Sequence, residues 1–165
     1  MTADPGVFPE PTRIYVCFEP EKQVYAERLN IWPWTNEDPD IYNRRVSVAV
    51  GSPEAESIQV CLRRQIEQAD VTLCVISISS ARDPWIAWEL EVSRRGQRCS
   101  GTDPNHPRAP NGLVGVLLNE HNEHPPAMVD CGAMFVPFKR DLVERAVRWV
   151  LADRHTSDDF TLRDF

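Results

Sequence analysis

The fold of this chain is decided by residues 71–95, VTLCVISISSARDPWIAWELEVSRR. The segment begins with a continuous apolar run, which is typical of a strand buried on both faces of a parallel sheet. A short polar loop follows, and then Asp83 and Pro84 have the residue types of a helix N-cap and first helical position. We therefore predict a strand over residues 70–77, a loop, and a helix that stops before Gly96.

Similar alternating patterns extend on both sides of this segment. Further strands are predicted over residues 13–18, 46–50, 113–118 and 133–136, and further helices over residues 21–32, 54–68 and 141–152. Strands that alternate with helices in this way favour a mostly parallel sheet covered on both faces. We expect a three-layer α/β domain of the flavodoxin-like type, with five strands in the order 2-1-3-4-5.

The chain length and composition fit one globular domain. Its 165 residues are 42% hydrophobic and 26% charged, as in an ordinary globular protein. We expect the domain to cover residues 13–155, with a loose arm over residues 1–12 and a tail over residues 156–165. No signal-peptide pattern and no apolar stretch of membrane-spanning length is present. Five widely spaced cysteines give no disulfide framework, so a cytoplasmic location without membrane contact is expected.

Several function classes are disfavoured by the composition and by missing motifs. The net charge of -7 argues against nucleic acid as a partner. Glycine-rich phosphate loops and the G-x-S-x-G motif are absent. His121, His124 and Cys131 do not have the spacing of a standard metal site, so no metal is predicted. A phospho-acceptor receiver domain is excluded because residues 76–79, Ile-Ser-Ile-Ser, place no Asp at the end of the third strand.

The candidate site lies where the first and third strands end. Open α/β sheets bind ligands outside the carboxyl ends of their strands, at the point where the strand order reverses. The residues expected there are Cys17, Phe18, Glu19, Ser77 and Ser79. Glu89 is expected one to two turns into the helix that leaves the third strand. Considered alone, such a Glu is usually exposed and interacts with the helix dipole.

The helix that carries Glu89 resembles a motif of the TIR-like domain family. Trp85-x-x-x-Glu89-Leu90 matches the pattern Trp-x-x-x-Glu-Leu, whose Glu is catalytic in the enzymes of that family. Within the family, the chain is most similar to the single-domain TIR-like subunits of bacterial Thoeris anti-phage systems. The resemblance covers about residues 13–155 and is most specific over residues 69–96.

Two weaker similarities and two departures accompany this motif. Residues 15–18, Tyr-Val-Cys-Phe, resemble the first-strand box of the family, and Asn30-x-Trp32 resembles an Asn-x-Trp pair that ends the first helix. Cys17 replaces the Ser that is usual in the box. Glu19-Pro20 follows the box, where relatives carry other polar or aromatic residues. These departures concern the substrate more than the class of reaction.

The resemblance implies an enzyme that cleaves the bond between nicotinamide and ribose in NAD. Glu89 would stabilise the oxocarbenium-like ribose that is left behind. NAD is then the substrate, and no further cofactor is expected. The residues predicted to bind it are Cys17, Phe18, Glu19, Asn30, Ser77, Ser79 and Trp85. Trp85 lies on the same helix face as Glu89, where it either lines the pocket or packs beneath it.

The resemblance also implies partners. Water as the acceptor of the ribose cation would give ADP-ribose, and a hydroxyl of the same molecule would give a cyclised ADP-ribose; the sequence alone does not choose between them. The resemblance implies the cyclised product, which would act as a nucleotide signal that activates an effector protein during phage infection. A phage-derived trigger and assembly into a homo-oligomer are expected as well.

Two alternatives stay open beside this hypothesis. TIR domains also act as non-catalytic interaction modules, and two features favour that interpretation: Cys17 in place of Ser, and Glu19-Pro20 at the pocket mouth. A relative of the nucleoside deoxyribosyltransferases would also use a single Glu against an oxocarbenium ion. A screen with free nucleosides separates the second alternative from NAD cleavage.

Overall fold

The computed structural model describes residues 12–29, 48–95, 110–129 and 131–155. For residues 153–155 it describes the backbone only. Four strands lie in these ranges: β1 (Ile14–Cys17), β2 (Val71–Ile76), β3 (Gly112–Leu117) and β4 (Met134–Pro137). The same ranges hold four helices: α1 (Gln23–Arg28), α2 (Ala55–Gln68), α3 (Pro84–Arg94) and α4 (Arg140–His155). Short 3-10 helices cover Pro20–Lys22, Ser80–Arg82 and Pro126–Met128.

The described strands form one parallel sheet in the order β1-β2-β3-β4. Tyr15 of β1 lies opposite Thr72 of β2 in this register. The parallel α/β architecture predicted from the sequence is therefore confirmed. The order also agrees with the predicted sequence of first, third, fourth and fifth strands.

The predicted strand count is wrong for the described part of the chain, which has four strands and not five. The missing one is the strand predicted over residues 46–50, whose last three residues are described and form a bend and a turn. The reason is local: the Ala49 carbonyl accepts hydrogen bonds from the Ser52 amide at 3.0 Å and from the Ser52 hydroxyl at 2.6 Å. That carbonyl therefore closes the turn that leads to α2.

The two ends of the predicted domain are described only in part. The arm predicted over residues 1–12 lies outside the described residues except for Thr12, which is buried. The tail predicted over residues 156–165 also lies outside them. Among the described residues, no helix is long and apolar enough to cross a membrane.

Helices cover both faces of the sheet, and the two faces differ. On the face covered by α1 and α4, which we call the α1/α4 face, every contribution of β1 and β2 to the core is hydrophobic: Ile14, Val16, Val71, Leu73 and Val75. The opposite side, the α2/α3 face, receives Tyr15 and Thr72 from the same two strands. Polar groups are thus buried beneath α2 and α3.

Candidate active site

Helix α3 begins where the sequence predicts it, just beyond the carboxyl end of β2. The Asp83 carboxylate accepts hydrogen bonds from the amides of Trp85 at 2.9 Å and Ile86 at 3.0 Å, which satisfies two otherwise unbonded donors. Pro84 occupies the first helical position. The predicted N-cap is therefore confirmed.

Trp85 lies in the first turn of α3 and is largely buried on the α2/α3 face. Its indole N–H donates to the Val48 carbonyl at 2.9 Å, and its ring meets Trp88 edge-on. A buried indole normally finds such a partner for its N–H. The hydrogen bond joins the first turn of α3 to the segment that precedes α2.

Glu89 lies in the core between α3 and the sheet, with 0% of its surface exposed. Its Oε2 accepts a hydrogen bond of 2.5 Å from the hydroxyl of Tyr15, which belongs to β1. Because positions four residues apart share a helix face, Glu89 points to the same side as Trp85. The alternative that Glu89 is an exposed residue at the helix start is wrong.

A chain of hydroxyl groups anchors the backbone of Glu89 to β2. The Asn111 amide donates to the Thr72 hydroxyl at 3.2 Å, and the Thr72 and Ser93 hydroxyls lie 2.7 Å apart. The Ser93 hydroxyl donates to the Glu89 carbonyl at 2.9 Å. Each hydroxyl has one proton to donate. Asn111 therefore donates to Thr72, Thr72 donates to Ser93, and Ser93 donates to the Glu89 carbonyl.

A second carboxylate, that of Glu19, lies after β1 at the carboxyl edge of the sheet. Three serine hydroxyls donate to it: Ser79 to Oε2 at 2.6 Å, Ser80 to Oε1 at 2.8 Å, and Ser77 to Oε1. We call these four residues the Glu19 cluster. It joins the end of β1 to the loop between β2 and α3, and only 7% of the Glu19 surface is exposed.

The hydrogen bonds of the Glu19 cluster keep its carboxylate charged. Burial alone would raise the pKa of Glu19, because it disfavours the ionised form. The donated hydrogen bonds from the three serines and the positive charge of Lys22 outweigh burial, so the pKa of Glu19 lies below its ordinary value of 4.5. The carboxylate is thus an anion held in a fixed orientation.

The structure brings together some of the predicted site residues. Glu19, Ser77 and Ser79 meet in the Glu19 cluster, and Glu89 and Trp85 share one face of α3. Cys17 is buried on the α2/α3 face as well.

Two residues of the predicted set remain, Phe18 and Asn30. Phe18 packs in the core of the α1/α4 face, on the other side of the sheet. Asn30 lies outside the described residues. The substrate contacts predicted for these two side chains stay predictions.

Two functional candidates, Tyr15 and Ser80, were missed by the sequence analysis. Tyr15 lies two residues before Cys17 in β1, so alternation places both side chains on the same face. A tyrosine in a fully buried strand also requires a partner for its hydroxyl. These two signals were sufficient to select Tyr15, whereas Ser80 differs in no sequence feature from the serines beside it.

The histidines considered as metal ligands are engaged elsewhere. The His124 ring stacks on Phe135 with centroids 3.7 Å apart. The exposed His121 lies 3.3 Å from Glu120. Among the residues that the structure describes, no group of three or more His, Cys, Asp or Glu side chains is arranged to hold a metal ion.

Comparison with known proteins adds no assignment. The sequence matches no protein-family model, and it has no significant match among curated proteins.

Proposed function

We propose that this protein is a cytoplasmic TIR-like enzyme that cleaves NAD, releases nicotinamide and forms a cyclised ADP-ribose signal in anti-phage defence. The observation that supports the proposal most is the buried position of the Glu89 carboxylate. Glu89 belongs to α3, the helix that follows the central strand β2, and its carboxylate is hydrogen-bonded to the Tyr15 hydroxyl. The sequence motif around Glu89 supports the same assignment. We also propose that the complete sheet has the flavodoxin-like strand order 2-1-3-4-5.

The chemistry explains why one carboxylate is sufficient. Nicotinamide leaves from a positively charged pyridinium, so no general acid has to protonate it. The ribose that remains has the character of an oxocarbenium ion, as in glycoside hydrolysis. A fixed carboxylate opposes that positive charge, and its effect is larger in a site from which water is excluded. Glu89 is assigned this role. Attack of a hydroxyl of the same molecule on the anomeric carbon, with release of the hydroxyl proton to water, then gives the cyclised product, whereas attack of water would give ADP-ribose.

We assign substrate binding to the Glu19 cluster because of its position in the sheet and its polarity. It lies at the carboxyl ends of β1 and β2, where open α/β sheets hold ligands. Its oxygens accept and donate hydrogen bonds, as the hydroxyls of a ribose require. Ser79 is the member whose hydroxyl is part-exposed, and it would exchange its bond to Glu19 for one to the sugar. Trp85 would support the pocket from below.

Nicotinamide release tests the proposal. The protein is expressed in cells that are then challenged with phage, since infection is the expected source of the trigger. The NAD reaction mixture is analysed by mass spectrometry, both from these cells and with the purified protein at high concentration. Nicotinamide and a cyclised ADP-ribose are expected. If neither infected cells nor purified protein release nicotinamide, the proposal is wrong.

A matched pair of variants tests the assignment of Glu89. Glu89→Gln replaces the buried carboxyl group, and Glu91→Gln replaces a carboxyl group of the same helix at a position where the side chain is 40% exposed and paired with Arg94 and Arg95. We expect nicotinamide release to be lost in the first variant and kept in the second. Equal rates in both variants would contradict the assignment.

A non-catalytic interaction module is the second candidate, and two observations favour it. Glu89 has no solvent exposure, whereas Ile78, between two serines of the Glu19 cluster, is 88% exposed. An apolar side chain at a loop tip suits contact with another protein. On this candidate, Ile78→Ser weakens self-association in sedimentation experiments, and no trigger produces nicotinamide.

A further inference from the structure

The buried hydrogen bond between Tyr15 and Glu89 joins two residues that are 74 positions apart in the chain. Tyr15 belongs to β1, and its partner in the sheet register is Thr72 of β2. Thr72 is the residue through which Ser93 anchors the backbone of Glu89. The carboxylate of Glu89 is therefore held by Tyr15 of β1, and its backbone is held through Thr72 of β2. These two residues are register partners in adjacent strands.

We propose that Tyr15 is a positioning residue whose hydroxyl holds the Glu89 carboxylate in the orientation needed to face the ribose cation. This inference rests on the proposed function. It gives a role to a residue of the segment that resembles the first-strand box of the family, whereas the Trp-x-x-x-Glu-Leu motif covers only the helix side of the site.

The physical argument starts from the freedom of a glutamate side chain. A Glu has several rotatable bonds, so an anchored backbone alone does not fix the position of its carboxylate. A short hydrogen bond to one oxygen removes that freedom. The hydroxyl also gives the buried carboxyl group a hydrogen-bond donor, which a polar group in the core requires.

The magnitude follows from the sensitivity of catalysis to geometry. A misplacement of about 1 Å in a reacting group costs on the order of a hundredfold in rate. Removal of the Tyr15 hydroxyl is therefore expected to lower kcat by about tenfold to a hundredfold. Because Tyr15 acts through Glu89 and does not bind NAD itself, KM is expected to change by less than about threefold.

The experiment compares Tyr15→Phe with two matched controls in nicotinamide release by the full chain. Tyr25→Phe removes the same atom from a tyrosine that packs on Phe138 beside the opposite core. Ile58→Val removes one methylene group from the core of the α2/α3 face, at a cost in stability comparable with that of a lost hydrogen bond. Rates are compared per folded molecule, with the folded fraction measured by urea unfolding. Both controls are expected to keep kcat within about twofold of the wild type.

The outcomes separate the inference from the proposed function. An active wild type, an inactive Glu89→Gln and a Tyr15→Phe with unchanged kcat overturn the role of Tyr15 alone. A raised KM with unchanged kcat also overturns it, because Tyr15 would then be a binding residue. A wild type that never releases nicotinamide overturns the proposed function, and the role of Tyr15 with it.

A second variant covers the case in which Tyr15→Phe does not fold. A ring-fluorinated tyrosine introduced at position 15 keeps the side chain and makes the hydroxyl a stronger donor. The inference expects kcat to change while KM stays the same. An unchanged kcat in this protein would contradict the inference.

Discussion

The two faces of the sheet are built on different principles. On the α1/α4 face, residues such as Leu73 and Val147 are buried by hydrophobic packing. On the α2/α3 face, Tyr15, Thr72 and Glu89 are equally buried, and their polar groups are stable there only because they form hydrogen bonds. Hydrophobic side chains at these positions could be buried without hydrogen-bond partners. The proposed function assigns catalysis to the α2/α3 face, and the α1/α4 face is then expected to contribute stability alone.

The largest expected effect tests the α1/α4 face. Leu73→Ala leaves a cavity in a fully packed core and should lower the free energy of unfolding by about 2–5 kcal/mol. Urea unfolding measures this loss. Activity per folded molecule should stay at the wild-type level, and a large drop would show that the two faces are not separate in function.

The next effect concerns the hydrogen bond between Tyr15 and Glu89. A double-mutant cycle with Tyr15→Phe and Glu89→Met, which keeps the length of the side chain without an acceptor oxygen, should give a coupling of about 1–3 kcal/mol in the free energy of unfolding, as for a buried hydrogen bond. Urea unfolding of the four proteins gives the coupling. A value below about 0.5 kcal/mol would mean that the two side chains act independently.

A smaller effect is expected for the Glu19 cluster, and it depends on pH. The pKa of Glu19 is lowered in the folded protein relative to its ordinary value of 4.5. Its contribution to stability is therefore fully present above about pH 4.5 and is lost as the pH falls through the folded pKa. Glu19→Gln should cost about 1.5 kcal/mol at pH 7 and progressively less in acid.

The matched control for that measurement is Glu21→Gln, two residues along the chain, where the side chain is exposed. Its difference from the wild type should be small at both pH 7 and acidic pH. If the loss in unfolding free energy caused by Glu19→Gln is as large in acid as at pH 7, packing and not charge accounts for the stability that the cluster contributes.

The smallest effect tests the start of the helix that carries Glu89. Asp83→Ala removes the acceptor for the amides of Trp85 and Ile86 and should cost about 1 kcal/mol in unfolding free energy. Asp83→Asn, which also caps well, is expected to lose only a few tenths of that amount. Equal losses in the two variants would contradict a capping role.

The sequence predicted local features of the structure well. A continuous apolar run defined β2, and the Asp83-Pro84 pair fixed the start of α3, because the signals for a buried strand and a helix cap lie within a few neighbouring residues. The parallel sheet followed from the alternation of such segments. The strand predicted over residues 46–50 failed because the Ala49 carbonyl bonds to Ser52, an interaction that an apolar pattern does not reveal.

Long-range pairings were harder to predict. The positions of Glu19 and the two serines at the same sheet edge followed from the rule for parallel strands, and the structure places them in contact. The contact between Tyr15 and Glu89 did not follow, since it depends on the register of β1 and on how closely α3 packs against the sheet. Neither quantity is present in a single sequence.

The decisive experiment compares the rate of nicotinamide release from NAD between the wild type and Glu89→Gln. Glu89 is the one carboxylate proposed to stabilise the ribose cation. Loss of such a stabilising group is expected to lower kcat at least about a hundredfold, with the fold of the variant intact. Equal rates in the two proteins, or no release from the wild type under any trigger, would contradict the account.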